Sequence, residues 1–242
     1  MERILVIAPH ADDEILGCGA LMAKMAKEGK KVFVLVCTNA SVGAPELFSK
    51  EAVDGIREEA REAHASIGVE ETYFLELPAP ALDAYPGYKV SLEMSKVIAE
   101  CEPDTVFIPH RGDSHKDHGR IHDAAMVACR PRGNYKVKHV YAYETLSETE
   151  WGEPIQSEMF VPTKFYSFTE EEFGDKLKAM SFFKSQLAPF PNSRSLEAIE
   201  ALGKYRGACI SKMRAEAFEV LRDIDELLWH IHISLEPRVT ER

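Results

Sequence analysis

The sequence predicts an α/β protein: a Rossmann-like, doubly wound, mostly parallel sheet with helices on both faces and a C-terminal α/β elaboration. Three observations carry that expectation. Apolar runs such as "RILVIAP" (3–9) and "KKVFVLVCT" (30–38) are continuous rather than alternating, as strands covered on both faces are. Segments with helical spacing separate these runs, which is the order of parallel βαβ units. The chain of 242 residues is long enough for one large core, and no internal repeat or low-complexity linker divides it. A single domain over 1–242 is expected, with a core at about 1–150 and the elaboration at about 151–242.

Taken in order, the first strand (3–9) leads into a helix at about 15–28, and the second strand (30–38) closes on Thr38 and Asn39. "SKEAVDGIREEAREAHASIG" (49–68) has helical spacing and ends on Gly68, where a C-terminal cap belongs. "TYFLEL" (72–77), a helix at about 91–101 and "DTVFIPH" (104–110) follow. A helix at about 118–129 then precedes "HVYAYET" (139–145). Beyond Glu150 the expected elements are a strand near 158–168, a helix near 170–184 and a long helix near 195–222. The tail "LLWHIHISL" (227–235) reads equally as a strand, a helix or a contact for a homo-oligomer.

Composition removes whole classes of function. A formal net charge of −11 argues against nucleic acid or an anionic membrane surface as the main partner. The apolar stretch Ile4–Ala8 is too short for a signal peptide and runs straight into His10, and no run approaches the length of a membrane span. The cysteines Cys18, Cys37, Cys101, Cys129 and Cys209 form no C-x-x-C pair. They read as reduced, mostly buried thiols of a cytoplasmic protein.

The chemistry gathers in two clusters. "APHADDEILG" (8–17) sets His10, Asp12, Asp13 and Glu14 at the end of the first strand, where three acids repel one another unless a cation sits among them. Asp12 alone would serve as a helix N-cap. The neighbouring "GCGA" (17–20) is no dinucleotide fingerprint, because position 22 is Met and the acids would repel a pyrophosphate. Gly17 and Gly19 are assigned to close helix–sheet packing.

The second cluster, "HRGDSHKDHGRIH" (110–122), holds four histidines and two aspartates. In a doubly wound sheet the first and fourth strands are neighbours, and the loops after them flank the switch point where ligands bind. The two clusters therefore meet. A catalytic zinc takes three His or carboxylate ligands and leaves a fourth position for water. His10, one of Asp12 and Asp13, and a histidine of "HKDH" supply such a set, leaving the other aspartate free to act as a general base. His110 and His122 are expected to be structural or at the rim.

These motifs resemble those of the PIG-L/LmbE-like zinc-dependent N-deacetylases, the N-acetylglucosaminyl deacetylases. "PHADDE" (9–14) is similar to that family's A-H-P-D-D-E, with proline and alanine in changed places around His10. "DSHKDH" (113–118) is similar to D-x-H-x-D-H, with Lys116 where proline is common. Weaker similarities follow in the family's order, at "REEAREAHASIG" (57–68), "SQ" (185–186), "PFPNSRS" (189–195), "YRG" (205–207) and "AEAF" (215–218), so the resemblance spans residues 3 to about 222.

The resemblance implies His10, Asp13 and His118 as Zn2+ ligands and Asp12 as general base. It further implies that His115 stabilises the oxyanion or protonates the amine, that Asp117 orients His115, and that Arg57 meets the substrate. Paired with Asp117, His115 is expected to have a raised pKa. The implied substrate is a small N-acetylated amino sugar. The alternatives are amide hydrolysis of another substrate, such as a thiol conjugate, and a non-catalytic metal- or sugar-binding protein. Arg194, Tyr205, Arg206 and Glu216 carry weaker claims to the site.

Overall fold

The computed structural model describes residues 1–132 and 136–225. In chain order the elements are β1 (Arg3–Ala8), α1 (Asp13–Lys27), β2 (Lys31–Asn39), the single turn α2 (Ala40–Gly43), α3 (Lys50–Ile67), β3 (Glu71–Pro78), α4 (Gly87–Cys101), β4 (Thr105–Pro109), α5 (Lys116–Ala128), β5 (His139–Tyr143), β6 (Lys164–Phe168), α6 (Glu170–Met180), α7 (Leu196–Ala208) and β7 (Arg214–Asp223). The seven strands form one sheet in the order β3-β2-β1-β4-β5-β7-β6. Pairings from β3 through β5 are parallel, and β7 runs antiparallel to both β5 and β6.

The lack of alternation in β1 has a direct cause. Ile4 and Val6 enter an apolar cluster with α1, α3 and α6, while Leu5 and Ile7 enter the opposite cluster with α4 and α5. Both faces are covered, as in a doubly wound sheet. β1 pairs with both β2 and β4, so the loops after β1 and β4 lie side by side. The expected packing glycines are also there. A Cβ on Gly17 would come within 2.2 Å of the Tyr143 ring, and one on Gly19 within 2.9 Å of Lys176.

Helix caps set several boundaries. Ser49 caps α3 by accepting from the Ala52 N–H, and Gly68 ends it in the left-handed region at φ 80°. α1 and α5 each begin two residues earlier than the sequence predicts, at Asp13 and Lys116. Asp13 and Glu14 therefore sit in the first turn of α1, where the helix dipole favours negative charge.

The C-terminal region departs most from expectation. The helix predicted over 195–222 ends at Ala208, and 214–223 is the strand β7. Ser211 takes a φ of 57°, and the Lys212 N–H turns back to the Gly207 carbonyl, which ends the helix. "RAEAFEVLRD" has helical composition, but lying between β5 and β6 it pairs on both edges, and that context overrides propensity. The strand near 158–168 shortens to 164–168 and the helix near 170–184 to 170–180. The tail at 227–235 lies outside the described residues. Among the described residues no helix is long and apolar enough to cross a membrane.

Candidate active site

The three consecutive acids after β1 go to three different partners. Glu14 points away from the cavity and pairs in the interior with His64 Nε2 of α3 at 2.9 Å, while His64 Nδ1 meets the Thr72 hydroxyl at 2.9 Å. Asp13 accepts the backbone N–H of His10 at 2.9 Å, and its Oδ2 lies 3.3 Å from both His10 Nδ1 and His118 Nε2. Asp12 accepts from Arg194 Nη1 at 2.6 Å. Asp12 takes a φ of 123°, a region that favours glycine. Holding a non-glycine residue there costs on the order of 1–3 kcal/mol, a strain found where function needs it.

The second cluster arrives on the turn into α5. His115 is the N-cap of that helix, and its Nδ1 accepts the Asp117 backbone N–H at 3.2 Å. The Asp117 carboxylate is near His115 but hydrogen-bonds to His10 instead, at 3.4 Å from its Nε2. His118 is fully buried and holds Asp113 Oδ2 through Nδ1 at 2.7 Å, and Asp113 Oδ1 accepts from Thr149 Oγ1 at 2.6 Å. Such a carboxylate–histidine pair fixes the ring's tautomer and aims its other nitrogen. Glu148 accepts the His115 backbone N–H at 3.1 Å, steadying the turn.

Four buried side-chain atoms among the described residues have no hydrogen-bond partner, and two of them, Asp13 Oδ1 and His118 Nε2, belong to this cluster. His118 Nε2 is near Asp13 Oδ2 but not aligned with it for a hydrogen bond. Orphaned buried polar atoms carry a cost unless something satisfies them. His10, Asp13 and His118 offer donor atoms all within 4.8 Å of one another, as do His10, His115 and Asp117. The orphaned atoms belong to the first group, and that mixed imidazole–carboxylate set suits zinc.

The electrostatics point the same way. Burial by itself lowers His10, but hydrogen bonds to Asp117 and Asp13 outweigh it and push the ring up to about 9. For His118, burial is outweighed by the charge of Asp13 and the hydrogen bond to Asp113, which push it up to about 10. Burial works to raise Asp13, yet the charge of His118 and the hydrogen bond from His10 hold it well below the usual carboxylate range. The two rings converge on one buried carboxylate, a charge pattern that a divalent cation held between them would complete. Asp12 is different: burial pushes it up to about 8 against the pull of Arg194. His115 is lowered by burial and by the charge of His10, which together outweigh the upward pull of Asp117, so the expected net rise does not occur.

A cavity of about 490 Å³ adjoins this cluster, lined at its polar end by His10, Asp12, His115, Glu148 and Arg194. Arg57 lines it too, but Nη1 is bound to Glu76 at 2.6 Å and Nη2 to the Leu75 carbonyl at 2.9 Å, while its buried Nε has no partner. His110 and His122 are occupied elsewhere, His110 with Glu219 and the Glu158 carbonyl, and His122 with the Pro109 carbonyl. Sequence reasoning gave no role to Asp113 or Glu148 and only a weak claim to Arg194. Asp113 stands inside "DSHKDH", so its spacing to His118 was the available signal. Nothing local marks Arg194 as the partner of Asp12, 182 residues away.

Comparison with known proteins adds a family. The model of PIG-L, GlcNAc-PI de-N-acetylase, matches residues 5–129. The chain is similar to the uncharacterized deacetylase YaiS of Escherichia coli (strain K12), at 29% identity over 75% of this chain and 90% of that protein. It is also 29% identical to 1D-myo-inositol 2-acetamido-2-deoxy-alpha-D-glucopyranoside deacetylase of Kineococcus radiotolerans, over 52% of this chain and 44% of that longer protein. Among solved structures, N,N'-diacetylchitobiose deacetylase from Pyrococcus horikoshii superposes with a TM-score of 0.72 at 22% identity, covering 91% of this chain and 84% of that one. The 4-carboxy-2-hydroxymuconate hydratase GalB from Pseudomonas putida KT2440 also has a TM-score of 0.72, at 20% identity over 94% and 100% of the two chains. At these identities both structures speak for the fold alone.

Proposed function

Because the chain belongs to the PIG-L family, whose model covers more than half of it, we propose that it is a zinc-dependent hydrolase that removes the N-acetyl group from an amino-sugar derivative of the N-acetylglucosamine type. The observation that carries this reading is the buried, partnerless pair Asp13 Oδ1 and His118 Nε2 beside His10, with Asp12 left outside the donor set. A purely structural zinc fills its fourth position with protein and needs no spare carboxylate. The named substrates of the relatives support an N-acetylated sugar over another amide.

In this reading His10, Asp13 and His118 would hold zinc, with Asp117 and Asp113 steadying the two histidines, and the bound metal would supply Lewis acidity that makes water acidic near pH 7. Asp12 takes the proton of the attacking water, a role suited to a carboxyl poised near neutrality. Arg194 holds Asp12 in place. His115 acts as a neutral imidazole: its Nδ1 accepts the Asp117 N–H, so its proton resides on Nε2. From there it donates to the amide oxygen as negative charge develops. The proton on Asp12 then passes to the departing nitrogen, which breaks from carbon readily only as a neutral amine. The five free cysteines fit the cytoplasmic setting we propose.

The test is acetate release from N-acetylglucosamine glycosides by the purified chain. Release should be lost on chelation and restored by Zn2+, and Asp13→Ala and His118→Ala should no longer retain about one zinc per chain. No acetate from any N-acetylated sugar, or full zinc occupancy in both variants, would overturn the proposal.

A further inference from the structure

The far end of the active-site cavity is apolar. Besides His10, Asp12 and His115 it is lined by Leu47, Phe48, Val53 and Ile56, from the connection before α3 and from α3 itself, and by Ala79 and Pro80 after β3. Leu47 and Phe48 stand in the connection before α3 at 72% and 42% exposure. Large apolar side chains set at the mouth of a reaction cavity are a recognition surface when a ligand covers them.

The charges of the lining restrict what that ligand carries. Away from the metal cluster its cations among the described residues are Arg57 and Arg194, and each has committed two of its three guanidinium nitrogens. Arg57 has given both terminal nitrogens to Glu76 and the Leu75 carbonyl. Arg194 has given Nη1 to Asp12 and to Gln186 Oε1, and Nε to the Ser147 hydroxyl. The remaining charged group away from the metal cluster is Glu148. A carboxylate or phosphate would find no open guanidinium fork here and would meet negative charge. An apolar group would find walls that match it.

We infer that the substrate's aglycone is apolar, an aryl or alkyl group seated against Leu47, Phe48, Val53 and Ile56. This inference deepens the deacetylase reading and rests on it. The aglycone end is chosen over the acyl end because the apolar walls lead outward from the reacting groups to the exposed Leu47 and Phe48. An acetyl methyl needs only the space beside the metal ligands.

The experiment measures binding of deacetylated glycosides, so it does not depend on turnover. Calorimetry compares methyl, phenyl and octyl glucosaminides and glucosamine 1-phosphate against the wild type and the exposed-site variants Leu47→Asp and Phe48→Ser. Phenyl and octyl glucosaminides should bind at least about tenfold more tightly than methyl, from apolar area removed from water, and that ratio should fall toward one in both variants. Equal affinities, tighter binding of the phosphate, or a ratio unchanged in both variants would overturn the inference. Apolar preference without acetate release from any N-acetylated sugar would leave the subsite standing and remove the deacetylase reading. Acetate release without apolar preference would do the reverse. Turnover with N-acyl chains longer than acetyl separates the two ends of the substrate: a gain in kcat/KM that disappears in Phe48→Ser would assign the apolar walls to the acyl group and overturn the aglycone assignment.

Discussion

Asp12, Asp13 and Glu14 tolerate one another because each faces a different positive or proton-donating group: Arg194, the His10–His118 pair, and His64. Their neighbours also give the two aspartates opposite characters, one poised near neutrality and one held firmly ionised. If Asp12 is the proposed base and not a ligand, Asp12→Asn should retain as much zinc as the wild type and lose about a hundredfold or more in kcat, measured by acetate release alongside metal analysis. A metal-free Asn variant would exchange the roles of the two aspartates. The pH dependence has a definite sign. As the proposed base Asp12 would act when deprotonated, and Arg194 lowers its pKa, so Arg194→Gln should raise that pKa and move the acidic limb of the pH–rate profile to higher pH. An unmoved limb would leave Arg194 without influence on the base. At this scale the sequence was informative wherever chemistry is local: six of the candidate residues fall within two short motifs. Arg194 was obscure because only tertiary folding brings it to Asp12. The charge of His115 was misjudged because motif spacing does not say which face of a ring a carboxylate meets.

Elements were legible where hydrophobic period and capping agree, as in β1 and in α3 with its Ser49 and Gly68 ends. They failed where composition and context disagree, as in β7. The glycines sharpen the contrast. Gly17 faces the fully buried Tyr143 ring, which is pinned by its hydroxyl bond to the Ile7 carbonyl at 2.9 Å. Gly17→Ala should cost about 1–3 kcal/mol, the usual penalty for overpacking a rigid core. Gly55, inside the helix α3, has nothing within 4 Å of where a Cβ would stand. Gly55→Ala should stabilise by about 0.5–1 kcal/mol by removing a glycine from a helix interior. Urea unfolding of the pair checks both signs, and equal shifts would mean that packing at Tyr143 is not what Gly17 serves.

On the scale of the whole molecule, the elaboration after Glu150 is bound to the first half through a buried charge pair. Lys176 Nζ of α6 reaches Glu216 Oε1 of β7 and the Leu16 carbonyl of α1, each at 2.7 Å. Glu216 also accepts the N–H groups of Ala20 and Leu21 at 3.0 and 2.9 Å, in the middle of α1. The helix that carries Asp13 is thus clamped from the far end of the chain. Glu216→Ala strands a buried ammonium and should cost about 3–5 kcal/mol. We propose that residues 1–242 act as one domain, so calorimetry should give a single transition with matching calorimetric and van't Hoff enthalpies, and two transitions would divide it. The sequence foretold the neighbourhood of β1 and β4 but not this clamp, because a buried Lys–Glu pair leaves no periodic trace. The strand order bears, too, on how the protein is made. β6 leaves the ribosome before β7 yet, among the described residues, touches the sheet only through it, so for a time on the order of seconds at ordinary translation rates the edge of β5 stands open and β6 has no berth. An open edge is a template for pairing with a foreign strand. The nascent chain is exposed to such pairing until residues 214–223 slide into the gap.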